Sequence, residues 1–489
     1  LEGFEKHKKS NLVIGLKLKE KTGLKKSGLF FIWFWVQLLV LNAQPAFTPA
    51  EVRFHGLRRT QEEIVFRELT FKVGNPLLPE DTADFFKKSC LNIFNTKLFN
   101  YCHYSVDSVS TDSCGRKTGR VHFWLSERWY TFPFPIFELA DRNFNEWWYD
   151  RNADLRRVNY GIRLIQKNVR GRNEDLIFTI QGGFTRRLDL AYVFPYVNKK
   201  QTLGLKIQGS YSNNKDVAYR SENNRLVFQR DENSFGRERY SGGFQFTLRK
   251  SIYAYHYLDF SYFFNRVSDL IYGLNPGYFL GPDFQRYGDI RYGFLEDRRD
   301  FRYFAQKGFA FQILAQKAGL FQTDNFEIWS IRASYSRYWK LGSSFFFASR
   351  LDGETSYPSK QAYLGTRVLG FENRFVRGYE RYVVEGRTNT HIRNSLRYRF
   401  FSRKFSAPWM PLKQFQFIPT DIYLTALGDG GYVDNPLAFP ENRRLSNTLL
   451  IGYGLGLNIV TFYDIVLRFE YSFNKHGDKG LYFAITTDI

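Results

Sequence analysis

Leu203-Gly-Leu-Lys-Ile-Gln-Gly-Ser-Tyr211 decides the fold of this chain. In an extended backbone Leu203, Leu205, Ile207 and Tyr211 face one side, and Lys206, Gln208 and Ser210 the other, because successive side chains of a strand alternate between its faces. The same period of two returns further on. Phe244, Phe246 and Leu248 alternate with Gln245, Thr247 and Arg249; Leu258, Phe260 and Tyr262 with Asp259 and Ser261. Ile331, Ala333 and Tyr335 alternate with Arg332, Ser334 and Ser336; Leu396, Tyr398 and Phe400 with Arg397 and Arg399. A soluble sheet with one wet face alternates in this way too. Persistence of the pattern to Ile489, with no helical segment to cover the apolar side, instead predicts a mainly β protein. The expected architecture over residues 134–489 is a transmembrane antiparallel β-barrel, apolar toward lipid and polar toward its lumen. At about 20 to 24 residues per strand with its loop, this length gives roughly 16 strands, and closure satisfies the sheet edges that hydrocarbon cannot. Tyr211–Tyr240, Leu274–Tyr287 and Asp434–Arg444 are polar and read as loops.

Composition agrees with that expectation. The 489 residues include 51 Phe and 32 Tyr, the residues of the aromatic girdles at both rims of a membrane barrel. A mean hydropathy of −0.41 argues against a bundle of membrane helices. The net charge of +22 invites a nucleic-acid partner, but the basic residues are spread along alternating strands and form no single patch, so none is expected. Seven scattered histidines, with no HExxH and no Ser-His-Asp arrangement, predict no catalytic centre, and the absence of CxxC gives no support for zinc. No enzyme activity, metal or cofactor is therefore expected. Cys90, Cys102 and Cys114 are an odd count, so at least one is unpaired within the chain.

The N-terminal part reads differently. Lys25 and Lys26 precede the apolar run Leu29–Leu41 and then Asn42-Ala43, which predicts a signal peptide region over residues 1–43 with cleavage after Ala43. Residues 48–130 read β-α-α-β-β. Glu51–Phe54 forms a strand, and Thr60-Gln-Glu-Glu63 has the form of a capping box opening a helix. A second helix starts near Pro79 and places Phe86, Cys90, Ile93 and Phe94 on one face. Cys90 on that face reads as core filler rather than a reactive thiol. Tyr101–Val109 and Gly119–Arg128 follow as strands, with Val121, Phe123 and Leu125 alternating with His122, Trp124 and Ser126.

One loop between strands stands apart, Phe371-Glu-Asn-Arg-Phe-Val376-Arg377-Gly378-Tyr379-Glu380. An arginine shielded inside a barrel stays charged and needs a carboxylate, best met by bidentate pairing. Asp429 is the first candidate and Glu470 the second. Gly378 permits a tight turn beside the wall, and Tyr379 is placed to pack on lumen rings. Gly452-x-Gly454-x-Gly456 lacks the spacing and the βαβ setting of a dinucleotide fingerprint and reads as room left inside a curved wall.

Taken together, these stretches resemble the BamA/TamA superfamily of outer-membrane proteins. Val52-Arg-Phe-His-Gly56, Leu98-Phe99 and Val121–Arg128 resemble a POTRA domain. Asn168-Val-Arg-Gly-Arg172 with Tyr192-Val-Phe-Pro-Tyr196 resembles that barrel's second and third strands, and Glu296–Asp300 with Gln306-Lys-Gly308 its mid-barrel signature. Phe304-Ala-Gln306 departs from that signature, which usually carries proline in the middle. Val376-Arg377-Gly378-Tyr379 resembles the inward-folded loop motif, and Leu427-Gly-Asp429-Gly-Gly431 the strand motif that receives it. The resemblance implies an outer-membrane assembly, insertion or translocation factor with its N-terminal domain in the periplasm. Its clients would be unfolded outer-membrane or secreted proteins, its surroundings membrane lipid and lipopolysaccharide, and its partners outer-membrane lipoproteins. It further implies a lateral seam between the first strand, around Pro135–Arg142 with Ile136, Phe137 and Leu139, and the last, Gly480–Ile489 with Leu481, Phe483 and Ile485. The alternative reading is a passive pore or accessory subunit of a larger complex.

Overall fold

The computed structural model describes residues 47–111, 117–142, 144, 146–198, 200, 202–371, 374–410, 416–461 and 465–485. The region read as a signal peptide lies outside them. Two sheets carry the architecture. The smaller is built from β1 (Phe47–His55), β2 (Phe99–Thr111) and β3 (Lys117–Glu127), with helices α1 (Glu62–Phe66) and α2 (Pro79–Asn95) between β1 and β2. β3 lies in the middle, parallel to β1 and antiparallel to β2. Val121, Phe123 and Leu125 turn inward onto Ile64, Val65, Phe86 and Ile93, so here the apolar phase of the strand faces protein. Proline opens α2, where its missing N–H would have had no helical partner.

Two expectations for this domain need correction. Cys90 is more than core filler, since it is joined to Cys102 by a disulfide while packing against the same core; Cys114 lies outside the described residues. The Thr60–Glu63 capping box is not made, and α1 begins after Gln61 without a side-chain cap. Thr60 Oγ1 instead bonds the Tyr130 hydroxyl and accepts from Asn168 Nδ2, both at 2.9 Å. A buried tertiary network has taken the hydroxyl from the local cap, a competition that short polar side chains enter readily.

The larger sheet has sixteen strands, each antiparallel to the next. They are β4 (Thr131–Leu139), β5 (Val158–Gln166), β6 (Asp175–Gly183), β7 (Thr185–Phe194) and β8 (Leu203–Asn214), then β11 (Arg237–Arg249) to β16, and β19 to β23. The middle set comprises β11, β12 (Ala254–Val267), β13 (Phe284–Asp297), β14 (Gly308–Ala318), β15 (Ile328–Lys340) and β16 (Phe345–Tyr357). The last set is β19 (Thr388–Ser406), β20 (Phe417–Asp434), β21 (Leu450–Val460), β22 (Val466–Asn474) and β23 (Lys479–Ile485). Two hairpins stand outside the order, β9 (Asp216–Glu222) with β10 (Arg225–Arg230), and β17 (Arg367–Leu369) with β18 (Val384–Glu385). The first of these organises the segment expected as a plain loop over Tyr211–Tyr240. Along β22, Arg468, Glu470, Ser472 and Asn474 are buried while Phe469 and Tyr471 are exposed, so the apolar phase now faces outward to lipid. Among the described residues no helix is long and apolar enough to cross a membrane; the strands cross it.

The ends of the order are β4 and β23, and among the described residues no ladder joins them. β4 starts and stops earlier than the expected Pro135–Arg142, and it contains Pro133 and Pro135. Proline lacks the donor for a ladder and is held at sheet edges.

The small domain is fastened to one end of the barrel at two points. Gln61 N donates to Gly171 O at 2.9 Å beside the Thr60–Asn168 contact, and a Cβ at Gly171 would meet Arg59 O at 2.1 Å. At the second point the Glu68 carboxylate, 3% exposed, takes two hydrogen bonds of 3.0 Å from Arg249 of β11 and others from Arg67. The Arg67 guanidinium lies over the Tyr196 ring at 3.7 Å. Removing one member of a buried ion pair leaves the other charge uncompensated, at about 3–5 kcal/mol. Glu68→Ala should therefore release the small domain while the barrel's heat resistance persists. Limited proteolysis at residues 128–131 reads this out, and unchanged cleavage would show that Glu68 does not hold the domain.

Candidate functional site

Between β16 and β19 the chain folds into the barrel. Val368, Leu369, Val376, Tyr379, Tyr382 and Val384 of this loop pack with Val433 and Leu450 of the wall and with Leu445. At its tip Arg377, with its side chain 1% exposed, meets Asp429 of β20. Nε donates to Asp429 Oδ2 at 2.7 Å and Nη2 to Oδ1 at 2.5 Å, a bidentate, charge-assisted pair. The Arg377 backbone N–H also donates to Oδ2, at 3.1 Å. Nη2 further donates to Asn394 O at 2.9 Å and Nη1 to Ser395 Oγ at 3.1 Å. Glu470 is a longer, single contact at 3.5 Å and is also paired with Arg468. Of the two acids singled out from the sequence, Asp429 thus carries the geometry and Glu470 supplements it. The carboxylates hold the Arg377 guanidinium firmly in its charged form against the opposing effect of burial.

Glycines let the tip reach the wall. Gly378 has φ +91°, and a Cβ there would lie 2.5 Å from Phe473 O. A Cβ on Gly452 would lie 1.7 Å from Arg377 O, and one on Gly431 2.5 Å from Val376 Cγ2. The glycine run read as room inside the wall is, at Gly452, room for this loop. Asn474 Nδ2 donates to Gly378 O at 2.7 Å, and the Tyr379 hydroxyl bonds His476 Nδ1 at 3.0 Å. From the opposite end, Phe304 and Ala305 enter the lumen after β13. Phe304 packs on Tyr423 at 4.7 Å and Arg397 lies over it at 4.3 Å.

The same loop touches both ends of the strand order. Arg142, three residues beyond β4, donates from Nη1 to Gly370 O and Tyr382 O, each at 2.8 Å, and from Nη2 to Arg381 O at 3.1 Å. Arg381 pairs with Asp150. The Tyr382 hydroxyl donates to Asp478 Oδ2 at 3.1 Å, immediately before β23. Arg142 carries no local motif, so sequence reading missed it; its Nε pairs locally with Glu146 at 2.8 Å, while the loop carbonyls it reaches lie more than two hundred residues away. Of the seam residues, Phe137, Leu481 and Phe483 are exposed and Ile136 is buried; Leu139 is half-buried. Ile485 ends β23. No register connects the two groups among the described residues.

This geometry defines a class: a transmembrane β-barrel whose lumen holds one of its own loops, fastened to the wall by a buried arginine–aspartate pair. Residues 168–488 match the Omp85 superfamily domain, and the chain belongs to that superfamily of bacterial outer-membrane β-barrels. Its fold is similar to that of BamA from Haemophilus ducreyi lacking POTRA domains 1-3, with 13% identity, a TM-score of 0.53, and 96% of this chain and 94% of that chain covered. It is also similar to CdiB from Acinetobacter baumannii, with 12% identity, a TM-score of 0.50, and 90% and 74% covered. No curated protein sequence matches the chain.

Two outcomes are expected of this site. Arg377→Ala and Asp429→Ala should each destabilise the folded barrel by about 3–5 kcal/mol, measured as loss of heat-resistant mobility in semi-native electrophoresis. Their double mutant should be no worse than either single, and additive losses would mean that the pair is not coupled. The second concerns pH. Burial, with the nearby Glu470 carboxylate, pushes the Glu380 carboxyl up to about 8. The folded loop then keeps a proton that an unfolded glutamate releases near pH ~4.3. Stability contributed here should fall as pH rises from about 4 through about 8 and then level. Glu380→Gln should flatten thermal midpoints compared at about pH 6 and about pH 9, and parallel profiles would contradict the assignment.

Proposed function

We propose that this chain inserts or translocates polypeptides at the outer membrane, its N-terminal domain standing in the periplasm as a POTRA-type module. It acts by strand exchange at a seam between β4 and β23, without catalysis or cofactor. The observation that carries the reading is a loop pinned inside the lumen that also ties together two strands with no ladder between them among the described residues. Arg142 ties it to the β4 side and Asp478 to the β23 side, so the outer part of the junction is held by the loop rather than by the sheet. The inner part is weak for a different reason. Pro133 and Pro135 are two residues apart and therefore share one edge of β4, and neither has an N–H to offer a partner strand. An incoming client strand exchanges one set of backbone hydrogen bonds for another, each worth only about 0.5–1.5 kcal/mol net. A passive pore is disfavoured because the lumen is occupied.

Cysteine pairs that join Ile136 or Phe137 to Leu481 or Phe483 test the reading. Oxidising such a pair should abolish client insertion in proteoliposomes, and reduction should restore it. Full activity with the pair shown by mass spectrometry to be oxidised would eliminate seam opening as the mechanism.

A further inference from the structure

Where the small domain meets the barrel mouth, a cavity of about 300 Å³ remains between them. Its charge is unbalanced. Arg67, from the small domain, and Lys206, Arg249, Arg299 and Arg302, from the barrel, all line it. Facing them are only Glu68 and Asp297. Glu68 is shared between Arg67 and Arg249, and Asp297 between Arg299 and Arg302. Lys206 has no ion-pair partner among the described residues, and Arg67 Nη1 is buried without a hydrogen-bond partner. Burial, and Arg249 close by, push the Arg67 guanidinium down to about 10, the direction expected where cations outnumber anions. Buried guanidinium nitrogens that lack acceptors favour any oxyanion that supplies them.

The occupant follows from the setting. On β8, Lys206 lies in the polar phase that faces the lumen, opposite Leu205 and Ile207, and on β11 Gln245, Thr247 and Arg249 share that phase. The cavity therefore adjoins the lumen rather than the lipid-facing wall. Asn92, Asn95, Gln245 and Thr247 add amide and hydroxyl groups of the kind that bond an extended backbone. We infer that this cavity is a binding site for an acidic segment of polypeptide, whose carboxylate is taken up by Arg67 and Lys206 at the junction of the small domain and the barrel. The inference rests on the client-handling reading above and adds to it a charge preference and a place.

The test is fluorescence anisotropy with the full chain in detergent at low salt, using a labelled extended peptide rich in Asp and Glu and its Asn/Gln counterpart with an amidated terminus. The acidic peptide should bind about tenfold or more tightly. Lys206→Gln, which breaks no ion pair among the described residues, should remove most of that advantage while leaving the proteolysis pattern of the docked domain unchanged. Inorganic phosphate at millimolar concentration should compete. Equal binding of the two peptides, an unaffected Lys206→Gln variant, or phosphate binding that does not displace the peptide would each overturn the site. Binding of neither peptide would overturn client handling as well.

Discussion

A guanidinium taken out of water must find its charge and its hydrogen bonds in protein, and the interior of this barrel is arranged around that requirement. Arg377 cannot shed its proton, so its loop is stable inside the lumen only where Asp429, Ser395 and the Asn394 carbonyl wait for it. Those partners sit on two neighbouring strands, β19 and β20, and the bond between loop and wall is therefore also a bond that sets where the loop lies along the barrel. Replacing such a pair by apolar groups need not cost stability in general. What the pair supplies here is position, because the acceptors exist at one height of one pair of strands.

From that fixed tip the rest of the loop is placed within reach of the two strands that end the sheet order. A closed sheet satisfies every backbone group by its neighbours. Among the described residues β4 and β23 share no ladder, and side chains of the loop and its surroundings link them instead: Arg142 to three loop carbonyls, Tyr382 to Asp478. Side-chain contacts of this kind are fewer and more readily exchanged than a ladder of backbone bonds. At the other end of the barrel the docked domain meets the mouth through a different device, a buried glutamate between two arginines. Both fastenings rely on buried charge, and both leave the hydrophobic surface of the barrel free for lipid.

The two sheets also invert one another. In β3 the apolar phase points into the core, and in β22 it points away from it. Alternation is equally clear in both, so periodicity identified strands in each without saying which side was inside. The decision came from what lay between strands: helices α1 and α2 cover the apolar side of the small sheet, whereas the sixteen-stranded sheet leaves Phe246, Ile331 and Leu396 exposed.

Much of the site was legible as chemistry. A shielded arginine implies an acid, so the sequence points to Arg377 and Asp429 as a pair; it marks Gly452 only as room inside the wall and gives no sign that the loop tip comes to lie there. Thr60 misled because its local sequence satisfies a helix cap while its hydroxyl is claimed from a hundred residues away by Asn168. Arg142 was invisible for the same reason in reverse: apart from its local pair with Glu146, the groups it holds are carbonyls far away in the chain. By itself, then, the sequence determined strand periodicity, the number of crossings and the need for a charge partner, since each is set by residues close along the chain. Only the tertiary structure decided the pairing of Cys90 with Cys102, the docking of the small domain and the loop's contacts with the β4 and β23 sides, because each depends on which distant groups meet when the sheet curls round.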